Sequence, residues 1–125
     1  MGRSLEGLRV LVVEDDYLIS LLFDDMLTSA GCVVVGPLPR LADALEAAAK
    51  ESCDAAVLDV NLGGERVYPV AKILAERHVP FVFVTGYSGD VLPREYAEQP
   101  RIAKPFKAAQ LLGALSNLIE LPSGS

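Results

Sequence analysis

The most informative segment of the chain reads VLVVEDD and covers residues 10–16. Four apolar residues, three of them β-branched, are followed at once by three carboxylates. A continuous apolar run is typical of a strand that is covered on both faces of a sheet, whereas an alternating run is typical of a half-exposed one. The segment therefore predicts a buried strand that ends in an acidic cluster.

Similar apolar runs recur along the chain and are separated by segments with helical periodicity. Strands are predicted at residues 8–13, 32–35, 55–58 and 81–84, with a weaker one at 102–103. Helices are predicted at 19–30, 41–48, 67–74 and 108–119. A further helix within 90–97 is expected to be short or irregular, because prolines lie at positions 93 and 100.

This alternation predicts an α/β fold, in which a doubly wound and mostly parallel sheet carries helices on both faces. A length of 125 residues with 51% apolar composition suits one domain with its own core. We expect the domain to span residues 8–119, with tails at 1–7 and 120–125.

The charge balance excludes some classes of partner. Seventeen acidic residues against eleven basic ones give a net charge of −6, which argues against direct binding of nucleic acid or of an anionic membrane surface. No apolar run approaches the roughly 18–20 residues that span a bilayer, and the first residues lack the apolar region of a secretory signal. A cytoplasmic location is predicted. Cys32 and Cys53 are expected to be reduced thiols without a metal.

Polar side chains stand where the predicted strands end. The first strand is followed by Glu14 and Asp15, the third by Asp59, the fourth by Thr85 and the fifth by Lys104. In parallel α/β sheets, ligands bind outside the carboxyl ends of the strands, so these side chains are expected to converge there. The next acidic residue, at position 16, is better explained as the N-cap of the first helix.

The predicted cluster has a definite chemistry. Three carboxylates packed together repel one another unless a cation lies between them, and carboxylate oxygens are ligands that Mg²⁺ prefers. An ammonium group and a hydroxyl beside them complete a set that suits transfer of a phosphoryl group to a carboxylate. Each residue alone is better explained structurally, but their joint position at one edge favours a functional site.

At this point the chain resembles the response-regulator receiver domains of bacterial two-component signalling, over roughly residues 8–119. The resemblance rests on VLVVEDD (10–16), AAVLDVNLGG (55–64), FVFVTGY (81–87) and IAKPF (102–106). It implies a flavodoxin-like sheet of five parallel strands in the order 2-1-3-4-5. It also implies a phosphoprotein that accepts its phosphoryl group from a sensor histidine kinase or a phosphotransfer protein and is not an enzyme acting on other substrates.

The resemblance assigns a role to each acidic position. Asp59 would be the phosphoacceptor and a ligand of Mg²⁺. Asp15 would bind the ion directly, and Glu14 mainly through water. The backbone carbonyl of Asn61 would complete the protein ligands.

The resemblance also implies a switch. Thr85 would hydrogen-bond the phosphoryl oxygens, and Lys104 would pair first with the acceptor carboxylate and then with the phosphate. The bond between Lys104 and Pro105 would be cis, which only X-Pro bonds adopt at low cost. Thr85, Tyr87 and Pro105 are the switch candidates.

One position departs from the usual receiver pattern. Arg101 stands where receivers carry an aromatic residue three positions before the lysine, and the segment before it is short. Together with the sequence of the fourth strand, this makes the chain similar to the subgroup called FATGUY receivers, many of which work with HWE/HisKA2-type kinases. We therefore hypothesise that Tyr87 and the loop 88–99 act as the mobile output element.

Other classes remain open at this stage. A haloacid-dehalogenase-like phosphatase also uses a strand-end aspartate, Mg²⁺, a hydroxyl and a lysine, although Asn61 stands where that family has a second aspartate. A flavodoxin-like FMN binder is disfavoured because the acidic cluster would repel a phosphate. A pseudo-receiver would bind partners without phosphorylation. Within the receiver interpretation we expect action through protein contacts, by a monomer or a weak homodimer.

Overall fold

A parallel sheet of five strands forms the centre of the molecule. The computed structural model describes residues 5–86 and 91–120. The strands, in chain order, are β1 (Arg9–Val13), β2 (Val33–Leu38), β3 (Ala55–Asp59), β4 (Phe81–Thr85) and β5 (Arg101–Ala103). Every neighbouring pair is parallel, and the spatial order is β2-β1-β3-β4-β5. The predicted fold class and strand order are confirmed.

Helices cover both faces of this sheet. They are α1 (Tyr17–Ser29), α2 (Leu41–Lys50), α3 (Tyr68–Glu76) and α4 (Ala108–Glu120). Alternate residues of each central strand enter two separate apolar clusters: Leu11, Leu58 and Phe83 lie on the α2 and α3 side. Val12 and Val84 lie on the α1 and α4 side. The continuous apolar runs of the sequence therefore reflect burial on both faces.

The expected irregular element between β4 and β5 is a single 3₁₀ turn at Arg94–Tyr96. An additional antiparallel hairpin, in which Asn61–Leu62 pairs with Glu65–Arg66, was not predicted. Its two-residue strands are too short to leave a period-2 pattern in the sequence.

Strand β2 runs three residues further than predicted, to Leu38, because Gly36 and Pro37 remain in the strand. A proline is tolerated there because β2 lies at the edge of the sheet, where one row of backbone donors needs no partner in the ladder. The pairing of β1 with β2 is irregular between Leu11 and Val13, next to these residues.

Part of the segment expected to be an N-terminal tail is attached to the fold. The amide of Gly7 donates a hydrogen bond of 2.7 Å to the carbonyl of Gly31, and Leu5 packs against the cluster under α1 and α4. Leu5 and Gly7 therefore contact the body of the fold. None of the helices in the described ranges combines the length and apolar character needed to cross a membrane.

Two glycines, one in the edge strand β2 and one in α4, differ in the space around their Cα atoms. Gly36 has φ +107°, and a Cβ atom added there would lie 2.8 Å from the amide nitrogen of Leu38 and 2.9 Å from the carbonyl oxygen of Val12. Gly113 lies on the exposed side of α4, and nothing lies within 4 Å of a Cβ added there.

We predict opposite effects of alanine at these positions. Gly36→Ala should lower the free energy of unfolding by about 2 kcal/mol or more, because it combines left-handed strain with backbone clashes. Gly113→Ala should raise it by about 0.5–1 kcal/mol, because alanine favours the helix. Urea denaturation of both variants measures this, and equal shifts in both would contradict the described backbone.

Candidate functional site

The carboxyl ends of four strands bring the candidate residues to one edge of the sheet. Glu14 and Asp15 follow β1, whereas Asp59 and Thr85 are the last residues of β3 and β4, and Lys104 follows β5. The parallel register pairs Asp59 with Val84 and Thr85 with Ala103, so these strands end at the same level. The pairing of the parallel strands therefore brings these residues to the same edge of the sheet.

A half-buried lysine joins two of the carboxylates. Lys104 Nζ lies 3.2 Å from Glu14 Oε1 and 3.4 Å from Asp59 Oδ2. The side chain of Glu14 is fully buried, and that of Asp59 is 7% exposed. Ion pairs this far from water are weakly screened, so this one fixes the positions of three strand ends relative to one another.

One ammonium does not balance two buried carboxylates. The amide of Asp16 donates to Glu14 Oε2 at 3.1 Å, but within the described part of the chain Glu14 Oε1 receives no hydrogen bond of good geometry. Burial, reinforced by the adjacent Asp59 carboxylate, raises the pKa of Glu14 from 4.5 to about 8. Without a cation, Glu14 therefore tends to hold a proton at neutral pH.

The pKa of Lys104 is raised as well, and for an ammonium group this favours the charged form. Burial alone lowers the pKa of its ammonium group, but the charges of Asp59 and Glu14 outweigh this effect and raise the pKa above 10.5. The group therefore stays charged throughout the neutral range.

A short loop completes the acidic edge. Asp15 is exposed, and carboxylate oxygens of Glu14, Asp15 and Asp59 lie within 4.8 Å of one another. The amide of Asn61 donates to Asp59 Oδ1 at 3.3 Å, while Asn61 Oδ1 accepts from the amide of Gly64 at 2.8 Å. These bonds hold the loop against the Asp59 carboxylate.

Gly63 approaches Asp15 from the same loop. It has φ +58°, and a Cβ atom added to it would lie 3.6 Å from Asp15 Oδ2. The exposed carboxylate of Asp15 thus lies beside the backbone of a residue that has no side chain.

Thr85 and Pro105 are both next to Lys104. Thr85 is 2% exposed, and its hydroxyl donates a long hydrogen bond of 3.4 Å to the carbonyl of Ile102, not to Asp59. The amide of Lys104 donates to the carbonyl of Thr85 at 2.9 Å, and the Lys104–Pro105 bond is cis, as the resemblance implied. The third switch candidate, Tyr87, lies outside the described residues.

An open cleft gives access to the cluster. Its volume is about 470 Å³, and its lining residues are Asp15, Asp16, Asp59, Asn61, Gly63, Gly86 and Lys104. Asp16 also has the capping role that its position suggested, because its Oδ1 accepts from the amide of Ile19 at 3.1 Å. A molecule in the cleft would meet the carboxylates of three aspartates, Asp15, Asp16 and Asp59, and the ammonium group of Lys104.

The donor set fits a small, hard cation. Three carboxylates lie close together and only two of them pair with the ammonium of Lys104, and within the described residues Glu14 Oε1 accepts no hydrogen bond of good geometry. A divalent cation with oxygen ligands satisfies both conditions, and Mg²⁺ prefers such ligands together with water.

Sequence reasoning missed one support of the site. The hydroxyl of Ser20, on the first turn of α1, donates to the backbone carbonyl of Glu14 at 3.2 Å. Position 20 lies four residues after the N-cap at Asp16, on the helix face above it, and this spacing was the available signal.

Comparison with known sequences identifies the family. The sequence profile described as "Response regulator receiver domain" matches residues 10–116. The chain belongs to the response-regulator receiver family. No curated protein sequence matches it significantly.

Solved structures share this receiver fold. The solution structure of SdrG from Sphingomonas melonis Fr1 is 39% identical, with a TM-score of 0.81 over 94% of this chain and 98% of SdrG. The solution structure of the PhyR receiver domain from Erythrobacter litoralis is 27% identical, with a TM-score of 0.80 over 98% of this chain and 100% of that one.

A third receiver structure contains the metal. It is the receiver domain of the sensor histidine kinase PA1611 from Pseudomonas aeruginosa PAO1, described with a magnesium ion in its active-site cleft. It is 25% identical, with a TM-score of 0.75 over 90% of this chain and 98% of that one.

The raised pKa of Glu14 predicts an unusual pH dependence of stability in the absence of Mg²⁺. Between pH 4.5 and about 8, the folded chain keeps a proton on Glu14 that the unfolded chain has released. This group's contribution to stability is therefore complete below pH 4.5 and is lost as the pH rises, with a slope of at most about 1.4 kcal/mol per pH unit. Glu14→Gln should remove that slope.

Urea denaturation in EDTA at pH 5, 6, 7 and 8 measures the effect as the difference between the variant and the wild type. Glu46→Gln, at an exposed position on α2, is the control and should follow the wild-type profile. Parallel profiles for Glu14→Gln and the wild type would contradict the assignment.

Proposed function

We propose that this receiver domain accepts a phosphoryl group on Asp59, in a Mg²⁺-dependent reaction, from a sensor histidine kinase or a phosphotransfer protein. The supporting observation is the Asp59 carboxylate itself. It lies on the cleft, with Lys104 at one oxygen and the Asn61 amide at the other. A carboxylate held in this way can act as a nucleophile, because its orientation is fixed and a positive charge lies beside it.

The proposed step is an in-line displacement at phosphorus. An oxygen of Asp59 forms a new bond to phosphorus as the bond from phosphorus to the phosphohistidine nitrogen, or to the leaving group of a small donor, breaks. The leaving group takes the electron pair of the broken bond. Because little covalent chemistry is asked of the protein, positioning and charge stabilisation supply most of the rate enhancement.

Lys104 and Thr85 have successive roles in this proposal. Lys104 holds Asp59 before transfer and can pair with a phosphoryl oxygen afterwards, because its ammonium lies 3.4 Å from the acceptor carboxylate. Thr85 would exchange its long hydrogen bond to the carbonyl of Ile102 for one to the phosphoryl group. The new group adds about −1.5 to −2 charge at this edge, which biases a two-state equilibrium.

Asp15, Asp59 and the carbonyl of Asn61 would hold the Mg²⁺ ion, with Glu14 acting mainly through water. When bound, the ion would neutralise negative charge on the oxygens of the transferred phosphoryl group. The carboxylates contribute by their proximity, and burial of Glu14 and Asp59 strengthens their interaction with a cation.

We predict that Asp59→Asn abolishes labelling by phosphoramidate or acetyl phosphate. The wild type should reach close to one phosphoryl group per chain in the presence of Mg²⁺ and none in EDTA, as intact-mass measurement would show. Asp54→Asn is the matched control. Asp54 is exposed just before β3 and accepts a hydrogen bond from the Arg9 amide, at the opposite end of the strand from Asp59.

Labelling of Asp59→Asn at the wild-type rate would overturn the assignment of the phosphoacceptor. Absence of labelling in the wild type would favour a pseudo-receiver. Steady multiple-turnover hydrolysis of many donors would favour the phosphatase alternative.

We predict a difference between two adjacent aspartates in Mg²⁺ binding. Asp15→Asn should weaken the affinity for Mg²⁺ by about tenfold or more, because it removes a ligand. Asp16→Asn should weaken it by only about twofold to threefold, because asparagine preserves the helix cap and only a nearby charge is lost. Calorimetric titration with MgCl₂ measures both affinities, and equal losses would contradict the proposed ligand set.

The partner contact is also part of the proposal. Helix α1 exposes four large apolar side chains next to the cleft, and Tyr17 and Leu18 are 74% and 69% exposed. With the loop after Lys104, this surface would dock the kinase or phosphotransfer protein, as in the family. An HWE/HisKA2-type kinase is the proposed partner, and phosphotransfer profiling against candidate kinases tests it.

We further propose residues 8–119 as the signalling unit, a cytoplasmic location, signalling through protein contacts without direct nucleic-acid binding, and a monomer or weak homodimer.

A further inference from the structure

The segment that carries the turn between β4 and β5 places two buried side chains, Leu92 and Tyr96, in the cluster on the α2 and α3 side. The backbone hydrogen bonds within the turn are local. The amide of Ala97 donates to the carbonyl of Arg94 at 3.1 Å, and the amide of Gln99 donates to the carbonyl of Tyr96 at 3.0 Å. The turn covers the part of the sheet where a regular helix is expected in a doubly wound fold.

Tyr96 is the principal apolar anchor of this turn. Its ring is 8% exposed and stacks on Tyr68 at a centroid distance of 5.6 Å. It also meets the edges of Phe83 and Phe81, at 5.5 and 6.3 Å. Its hydroxyl donates a long hydrogen bond of 3.5 Å to the carbonyl of Tyr68, where α3 begins.

Arg101 holds the turn from the other side. Its guanidinium donates a hydrogen bond of 2.9 Å to the carbonyl of Ala97. Arg101 is exposed and is the first residue of β5, paired in the sheet with Phe83. The residue that tethers the turn is therefore the register partner of a residue whose ring packs against Tyr96.

The same two strands carry Thr85 to the acidic site. Thr85 lies two residues beyond Phe83 and, by strand alternation, on the same face of the sheet. Its hydroxyl bonds to the carbonyl of Ile102, the residue after Arg101. A change in this hydrogen bond therefore occurs one residue from the tether.

We infer that Arg101 and Tyr96 form a latch that holds the turn 94–97 closed, and that a phosphoryl group on Asp59 favours its release. This rests on the function proposed above. When Thr85 turns toward the acidic site, the carbonyl of Ile102 loses its hydroxyl donor and the adjacent tether loosens. Release of the turn uncovers the rings of Tyr68, Phe81 and Phe83, which offers an apolar surface that the closed form hides.

Binding linkage provides the test. If a phosphoryl mimic favours the released form, then a variant that weakens the latch must bind the mimic more tightly. Beryllofluoride with Mg²⁺ is the probe, and its affinity can be measured by titration for each variant. Arg101→Ala should bind it about threefold to tenfold more tightly than the wild type. Arg101→Lys, which keeps a donor and the charge, should lie between them.

Two further variants separate the latch from general effects. Arg94→Ala removes an exposed arginine of the same turn and should bind beryllofluoride like the wild type. Tyr96→Leu removes the aromatic anchor and should tighten binding as Arg101→Ala does. In the wild type, beryllofluoride should accelerate amide hydrogen exchange at Ala97 and Gln99 by about tenfold or more.

The outcomes are distinguishable. If the wild type binds beryllofluoride but Arg101→Ala and Tyr96→Leu bind it no more tightly, the latch is overturned and the proposed function stands. Unchanged exchange at Ala97 and Gln99 on binding also overturns the latch. If the wild type does not bind beryllofluoride at all, the proposed function fails, and the latch fails with it.

Discussion

The properties of the candidate site depend on two buried carboxylates that face a single ammonium group. Glu14, Asp59 and Lys104 come from three different strands, and their charges meet only because a parallel sheet ends those strands at one level. The sheet fixes the positions of these side chains, and the apolar core surrounds them with a low dielectric. Charges there interact more strongly than they would at the surface, where water screens them. Burial, reinforced by the adjacent Asp59, raises the pKa of Glu14, and the fit to a divalent cation follows from the shortage of positive charge beside the two carboxylates.

Much of this arrangement could be predicted from the sequence, because the two strongest signals in the chain coincide. Continuous apolar runs indicated strands covered on both faces, and polar residues at their ends indicated the functional edge. The site residues needed no long-range information once the strands were taken as parallel, since parallel strands ending at one edge place Asp59 near Glu14. The strand order came from the family resemblance, because periodicity alone does not distinguish between arrangements of five parallel strands.

Other features could not be predicted, and each has a local physical cause. Gly36 and Pro37 normally end a strand, yet an edge strand tolerates both, so β2 extends to Leu38. Tyr96 lies between two prolines in a segment without periodicity, and only its burial against α3 and β4 reveals its role. The sequence shows that Arg101 stands where receivers usually carry an aromatic residue. Its hydrogen bond to the carbonyl of Ala97 depends on the position of the turn, which the sequence does not give. The sequence thus identifies which residues are unusual before the structure shows what they contact.

The separation of the site residues along the chain has a consequence for synthesis on the ribosome. Glu14 lies 90 positions before Lys104, and Asp59 lies 45 before it. As the chain emerges, Glu14 and Asp59 appear long before Lys104, the ammonium group that pairs with both, and β5 is the last of the five strands to emerge. A nascent chain that ends before residue 104 therefore carries the carboxylates without their counter-charge and lacks an edge of the sheet. An unfinished chain of this length therefore lacks the complete candidate site.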